Sequence, residues 1–114
     1  MDKKIMAMST AMLLLKLLEG EDLYGYQMIR RLEEKSSQVF SLKEGTLYPI
    51  LHSLEEQEAV ESYEKCADTG RMRKYYHLTE RGKGLLKEKQ KEWETYEKAV
   101  RDVMKGGMSF ALGT

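Results

Sequence analysis

Apolar residues recur along this chain with the rhythms of helix and strand in turn, and each change of rhythm predicts an element. From Lys4 to Glu19, the residues Ile5, Met8, Met12, Leu15 and Leu18 make one helical stripe, which Ala11, Leu13, Leu14 and Leu17 widen nearly all round. A helix apolar on so many sides must bury more than one face, and in a chain of 114 residues one of those faces is expected to meet a second subunit. Gly20 is expected to end this helix in the left-handed conformation. A second helix is predicted from Leu23 to Lys35 with Asp22 as its N-cap. It turns Tyr24, Met28, Ile29 and Leu32 inward and Arg30, Arg31, Glu33 and Glu34 outward. Ser36, Ser37 and Gln38 break the pattern.

The stretch Ser41 to Val60 organises the rest. Leu47, Ile50, Leu51 and Leu54 fall at helical spacing and cover about a third of the circumference. Tyr48 and His52 lie one turn apart away from that stripe, with Thr46 flanking the same N-terminal end. A buried stripe behind a leading end of short or planar donors and acceptors suits insertion into a DNA major groove, and it also suits an ordinary surface helix. Pro49 leaves two starts open. A helix beginning near Glu44 puts Pro49 in the second turn, crowding the carbonyl of Gly45, which has the freedom to adjust; a helix beginning at Tyr48 puts it at the first position without strain. The first is favoured.

Val60 to Cys66 and Met72 to Leu78 read as two strands joined by a polar loop, Ala67 to Arg71. Tyr76 and Leu78 are expected to face the helical core and Arg73, Tyr75 and His77 to face outward or toward a partner. Thr79 then caps a last helix from Glu80 to Lys105, ended by Gly106 and Gly107. At 1.5 Å per residue it would be roughly 39 Å long, more than a core of this size covers. Leu86, Trp93 and Val100 repeat every seven residues, and Tyr96 and Val103 complete a second position of a pairing seam that Lys89 interrupts.

Composition narrows the chemistry. Lys plus Arg and Asp plus Glu are 19 each, so no global positive field attracts nucleic acid and any such contact needs a local patch. Arg71, Arg73 and Lys74 supply one at the hairpin tip and descending strand, suited to phosphates. Glu61, Glu64 and Asp68 on the same hairpin support a different role for those charges, protection of an edge strand. A single cysteine, Cys66, excludes an internal disulfide framework and suits a reducing cytoplasm; beside Lys65 it is a redox thiol or a spectator. The N-terminal apolar run holds Ser9 and Thr10, lacks a cleavage site and is too short for a bilayer, so neither export nor a membrane is expected. His52 and His77 are the only histidines. With no metal-ligand spacing and no catalytic pair, the chain is expected to be no enzyme and to hold no metal or cofactor.

Helix, helix, helix, two-stranded ribbon and long helix make a winged helix-turn-helix, mainly α with a small β-wing, and the chain resembles the PadR family of bacterial transcriptional regulators. Three motifs carry the resemblance: Leu23-Tyr24-Gly25-Tyr26, Gly45-Thr46-Leu47-Tyr48-Pro49 with Leu51 and Leu54, and Arg73-Lys74-Tyr75-Tyr76-His77-Leu78-Thr79-Glu80-Arg81-Gly82. The resemblance implies a DNA-binding unit over residues 1–78, a dimerisation helix over 79–105 in the same unit, and a flexible tail over 106–114. It further implies a homodimer that represses nearby genes until a small molecule relieves it. We assign Lys43, Thr46, Tyr48, His52, Arg71, Arg73 and Lys74 to a near-palindromic double-stranded operator, and Leu86, Trp93, Tyr96, Val100 and Val103 to the dimer interface. Trp93, Met8 and Met12 are candidates for an aromatic effector site, although Trp93 also fits a seam residue and the methionines fit gap-fillers. The chain departs from the family pattern in an acidic, glycine-poor wing loop and in Glu58-Ala59-Val60, where a glycine commonly ends the third helix. The competing function is a winged-helix module that contacts a protein instead of DNA.

Overall fold

Helix α1 (Lys3–Gly20) opens a computed structural model that describes residues 3–111, and side chains for residues 9–105. It leads through a two-residue strand β1 (Leu23–Tyr24) into α2 (Gly25–Lys35) and α3 (Glu44–Glu56). The hairpin β2 (Val60–Cys66) and β3 (Met72–Leu78) follows, then the long helix α4 (Glu80–Ala111). The sheet is antiparallel in the order β1-β3-β2, with Leu23 opposite Tyr76, Tyr24 opposite Tyr75 and Val60 opposite Leu78. The third strand escaped sequence reading because two residues show no periodicity, and it displaces the expected helix start. Asp22 does not cap α2; Tyr24 stands at the cap, its N–H donating to Gln27 Oε1 at 3.1 Å.

One core joins these elements. Leu14, Leu15 and Leu18 from α1, Met28 and Leu32 from α2, and Leu47, Leu51 and Leu54 from α3 close over Leu23, Val60, Tyr76 and Leu78 of the sheet. Leu86 of α4 enters the same core and is only 2% exposed within a single protomer, so the first residue of the expected seam is already covered. Tyr75 is also buried, contrary to the outward placement the strand alternation implied. It does lie on the outer face, but Tyr24 and Tyr63 from the flanking strands cover it. The favoured start of α3 holds: Lys43 is the N-cap and Pro49 lies inside the helix.

Helix ends depart from the glycine rule. Gly20 closes α1 without a positive φ, since Gly70 in the wing loop is the one glycine with positive φ among the described residues. The helix α4 runs past Gly106 and Gly107 to Ala111. Instead α2 and α3 both end in left-handed turns on non-glycine residues, Ser37 (φ 51°) and Glu58 (φ 60°). In each the paired bonds of a Schellman motif are made: Gln38 N–H to Glu33 O at 2.8 Å with Ser37 N–H to Glu34 O at 3.3 Å, and Ala59 N–H to Leu54 O and Glu58 N–H to Glu55 O, both at 2.9 Å.

The turn after α3 then meets the start of α4. Thr79 N–H donates to Ala59 O at 3.1 Å, Thr79 Oγ1 donates to Glu58 O at 2.7 Å, and the same hydroxyl oxygen accepts Gly82 N–H at 2.9 Å as the N-cap of α4. Gly82 rests directly on the Ala59 carbonyl, where any Cβ would collide with that oxygen.

Glu58 and Ser37 therefore carry a left-handed backbone that an L side chain adopts at a cost of about 1–2 kcal/mol, partly offset because glycine gains more freedom when unfolded. Glu58→Gly and Ser37→Gly are each expected to raise stability by up to about 1 kcal/mol. The exposed Arg81–Glu58 ion pair lost in the first contributes little. Urea denaturation checks this, and a lowered midpoint in both variants contradicts it.

Candidate nucleic-acid interface

The third helix buries Leu47, Leu51 and Leu54 and leaves Lys43, Glu44, Gly45, Thr46 and His52 exposed, so one leading face is free for a ligand. Lys43 and Thr46 have open side chains at the N-terminal end. His52 is held by Glu56 one turn on, Nε2 to Oε1 3.2 Å. Tyr48 is 44% exposed but not loose, because its phenol tip lies against the backbone of Gly25 at the start of α2. Periodicity placed Tyr48 away from the buried stripe; it could not show that a neighbouring helix touches the ring.

On the wing, the basic residues Arg71, Arg73 and Lys74 fall into three different settings. Arg71 is exposed at the end of the loop that Ala67 N–H to Arg71 O and Gly70 N–H to Ala67 O close, each at 2.8 Å. Arg73 lies on the outer sheet face with its guanidinium 5.3 Å from the centre of the Tyr24 ring, and its Nε is buried without a hydrogen-bond partner. Lys74 points to the opposite face, toward α3. Its ammonium lies 5.6 Å from the centre of the Tyr76 ring and 3.5 Å from Glu55 Oε1, and Tyr76 and Glu55 together raise its pKa against partial desolvation. Glu55 also accepts the Ser62 hydroxyl at 3.0 Å, so one carboxylate fastens both wing strands to α3. Sequence reading missed Glu55 because a glutamate at the end of a helix carries no signal of its own.

The outer wing face holds a second device. Tyr63 stacks on Tyr75 at 5.7 Å, Tyr24 meets Tyr75 edge-on at 5.3 Å, and Lys65 lies 5.1 Å from the Tyr75 ring centre. At its edge, Asp22 accepts the Tyr63 hydroxyl at 2.7 Å and the His77 Nδ1–H at 2.9 Å. Partial burial pushes the Asp22 carboxyl up, but the bonds from His77 and Tyr63 with the charges of His77 and Lys65 outweigh it and hold the carboxyl below its ordinary value. The bond to Asp22 in turn pushes the Tyr63 hydroxyl up to about 12.

The expected effector and dimer residues lie along α4. Met12 and Trp93 line one groove of about 280 Å³ between α1 and α4, with Leu13 and Leu86 at its wall and Lys16, Gln90, Glu94 and Glu97 at its rim. The side chain of Met8 lies outside the described side chains. Beyond the groove, Trp93 leans on Tyr96 at 5.9 Å, and Tyr96, Val100 and Val103 are exposed along one side of α4. Met104 joins them, 76% exposed beside Val103 at 78%. It follows Val100 by four residues, so helical spacing could have found it. Among the described residues no helix is long and apolar enough to cross a membrane, and no three histidine, cysteine or carboxylate side chains gather as a metal ion requires.

Comparison with known proteins places this geometry. The model of the transcriptional regulator PadR-like family matches residues 14–88. A transcriptional regulator of Mycobacterium tuberculosis, Rv3488, is 35% identical over 81 residues, 71% of each chain. Among solved structures, a PadR family transcription regulator from Clostridium difficile is 34% identical, with a TM-score of 0.74 over 84% of this chain and 98% of the other. A transcriptional regulator from Clostridium thermocellum is 29% identical, with a TM-score of 0.81 over 88% and 97%.

The Asp22–Tyr63 bond yields a pH prediction. Tyr63 is raised above its unfolded value of about 10, so the stabilisation it gives is complete below that pH and is lost as pH rises through about 12. In an ultraviolet titration the late tyrosine absorbance near pH 12 should shrink by one tyrosine in Tyr63→Phe and shift down in Asp22→Asn, while Tyr75 and Tyr76, which burial also raises, remain in place in both variants. A late absorbance that neither substitution changes contradicts the assignment.

Proposed function

The chain belongs to the PadR-like family of transcriptional regulators, DNA-binding proteins that are not enzymes, and on that footing we propose that it acts as a homodimeric, sequence-specific repressor. In this reading α3 enters the major groove by its N-terminal end and the wing meets the adjacent backbone or minor groove. The observation that carries it is the two-sidedness of α3, whose buried Leu47, Leu51 and Leu54 fix the helix while Thr46 and His52, the latter paired with Glu56, stand exposed on the other side. Thr46 offers a hydroxyl and a methyl that can meet a thymine methyl; His52 offers a donor or an acceptor one turn and a half further on. Tyr48 adds a ring edge between them. Lys43 and Arg71 are exposed and positioned for phosphates, which fix register without reading sequence.

The exposed row Tyr96, Val100, Val103 and Met104 supports pairing of α4 with a second copy, because a lone subunit gains nothing from holding those side chains in water. A twofold dimer presents two copies of α3, so the operator is a near-palindrome. The groove between Met12 and Trp93 has the size and lining for a small aromatic effector, whose binding beside the dimer helix relieves repression. The competing reading, a module that contacts a protein, draws support from a neutral net charge and from Lys74, which is held by Glu55.

These readings separate in one titration. Wild type, Thr46→Ala and His52→Ala are titrated against the promoter of the protein's own gene and a scrambled duplex at one salt concentration, with circular dichroism to check the fold. Each substitution should cost about 1–3 kcal/mol on the promoter and much less on scrambled DNA. Folded variants that keep the wild-type ratio of affinities contradict base reading by α3 and favour the protein-contacting module.

A further inference from the structure

Gly25 is the first residue of α2, is buried, and has no positive φ, so what glycine supplies there is not backbone freedom. It supplies space. A Cβ on Gly25 would stand 2.5 Å from Tyr48 Oη, 2.9 Å from Tyr48 Cζ and 3.2 Å from Leu47 Cδ2. Real Cβ atoms do not approach other atoms to the first two distances, and both belong to the phenol tip of a residue on the exposed end of α3. Leu47, at the third, need give only slightly. The tyrosine is thus pinned at its tip by α2 while nearly half its surface stays open.

We propose that Gly25 is a positioning residue for DNA recognition: its missing side chain is the slot that holds the Tyr48 ring and decides which edge of that ring α3 presents beside Thr46. This deepens the DNA-reading role proposed above and rests on it. A free tyrosine on a helix surface samples several rotamers and must lose them on binding, whereas one already pinned meets the base edge in a single orientation. The pin also ties the reading surface to the helix packed behind it. Tyr48 then reads sequence from a fixed pose, and its selectivity depends on a residue that touches no DNA base.

A cycle of variants tests this: Gly25→Ala, Tyr48→Ala and the double substitution, each titrated against the promoter of the protein's own gene and a scrambled duplex, with thermal melts of the free protein. Gly25→Ala should lower the promoter-to-scrambled affinity ratio about threefold to tenfold, the scale set by freeing one side chain. The double variant should match Tyr48→Ala with no further loss, since the slot has no purpose once its occupant is gone. The clash with the Tyr48 ring should make Gly25→Ala lower the melting temperature in the wild type although alanine favours a helix over glycine, and that loss should disappear when Tyr48 is truncated. An equal loss of affinity for both duplexes, or losses that add in the double variant, would reduce Gly25 to a packing residue and overturn the inference. Tyr48→Ala with an unchanged ratio overturns it too, while Thr46→Ala and His52→Ala still lowering that ratio would leave the DNA-reading role standing. If none of the three changes the ratio, both readings fall. Should Gly25→Ala not fold alone, the wild type decides by nuclear Overhauser contacts between the Tyr48 ring and Gly25 Hα in the operator complex: their presence supports the slot and their absence overturns it.

Discussion

The carbonyl of Ala59 is where the recognition helix, the wing and the long helix meet, and their mutual angles depend on how it is packed. It accepts Thr79 N–H at 3.1 Å and lies against Gly82, while Thr79 Oγ1 binds the neighbouring Glu58 carbonyl and caps α4. Fixing these few backbone groups sets the exit of α3, the start of β2, the end of β3 and the direction of α4 together. A side chain at position 82 would pry α4 from the turn after α3. The geometric consequence is that the end of α3 and the start of α4 are joined directly, through Thr79 N–H to Ala59 O at 3.1 Å and Thr79 Oγ1 to Glu58 O at 2.7 Å.

Charge is placed with similar economy. A protein with equal numbers of acidic and basic residues cannot rely on a general positive field, so each cation near the proposed DNA face has to be aimed. The structure aims few of them. Lys74 is held against Tyr76 and Glu55, Arg73 lies over Tyr24, and Arg71 at the loop end stays exposed. Glu55 gives the wing a fixed seat on the recognition helix at the cost of a neutralised lysine. The tyrosine array on the outer face stiffens the ribbon from the other side, with Asp22 tying the entry of α2 to both wing strands.

Much of this was legible in the sequence because it follows from periodicity and turn chemistry. The stripe Leu47, Leu51, Leu54 gave the buried side of α3, and the runs flanking Ala67 to Arg71 gave both wing strands and, in Tyr76 and Leu78, the core-facing side of the second. What escaped depends on contacts between elements. A two-residue strand such as Leu23–Tyr24 exists only because β3 is there to pair with it. Tyr75 alternates outward along its strand yet is buried by aromatics from two others, and Leu86 repeats with the seam yet is claimed by the protomer's own core. Gly25 looked like part of a motif and proved to be a gap that a distant tyrosine occupies. The left-handed Ser37 and Glu58 defeated the rule that glycine marks helix ends, because Schellman hydrogen bonds hold them in place.

In the proposed function, two copies of α3, joined through α4, read one operator together. Hydroxyl-radical footprinting on the promoter of the protein's own gene tests it most directly, with Val103→Asp as the comparison because that side chain is 78% exposed and its change leaves the core untouched. Two protected patches related by the operator's twofold axis are expected, centred about one or two helical turns (roughly 34–70 Å) apart, with their joint loss in the variant. A single protected patch that Val103→Asp leaves unchanged would contradict it.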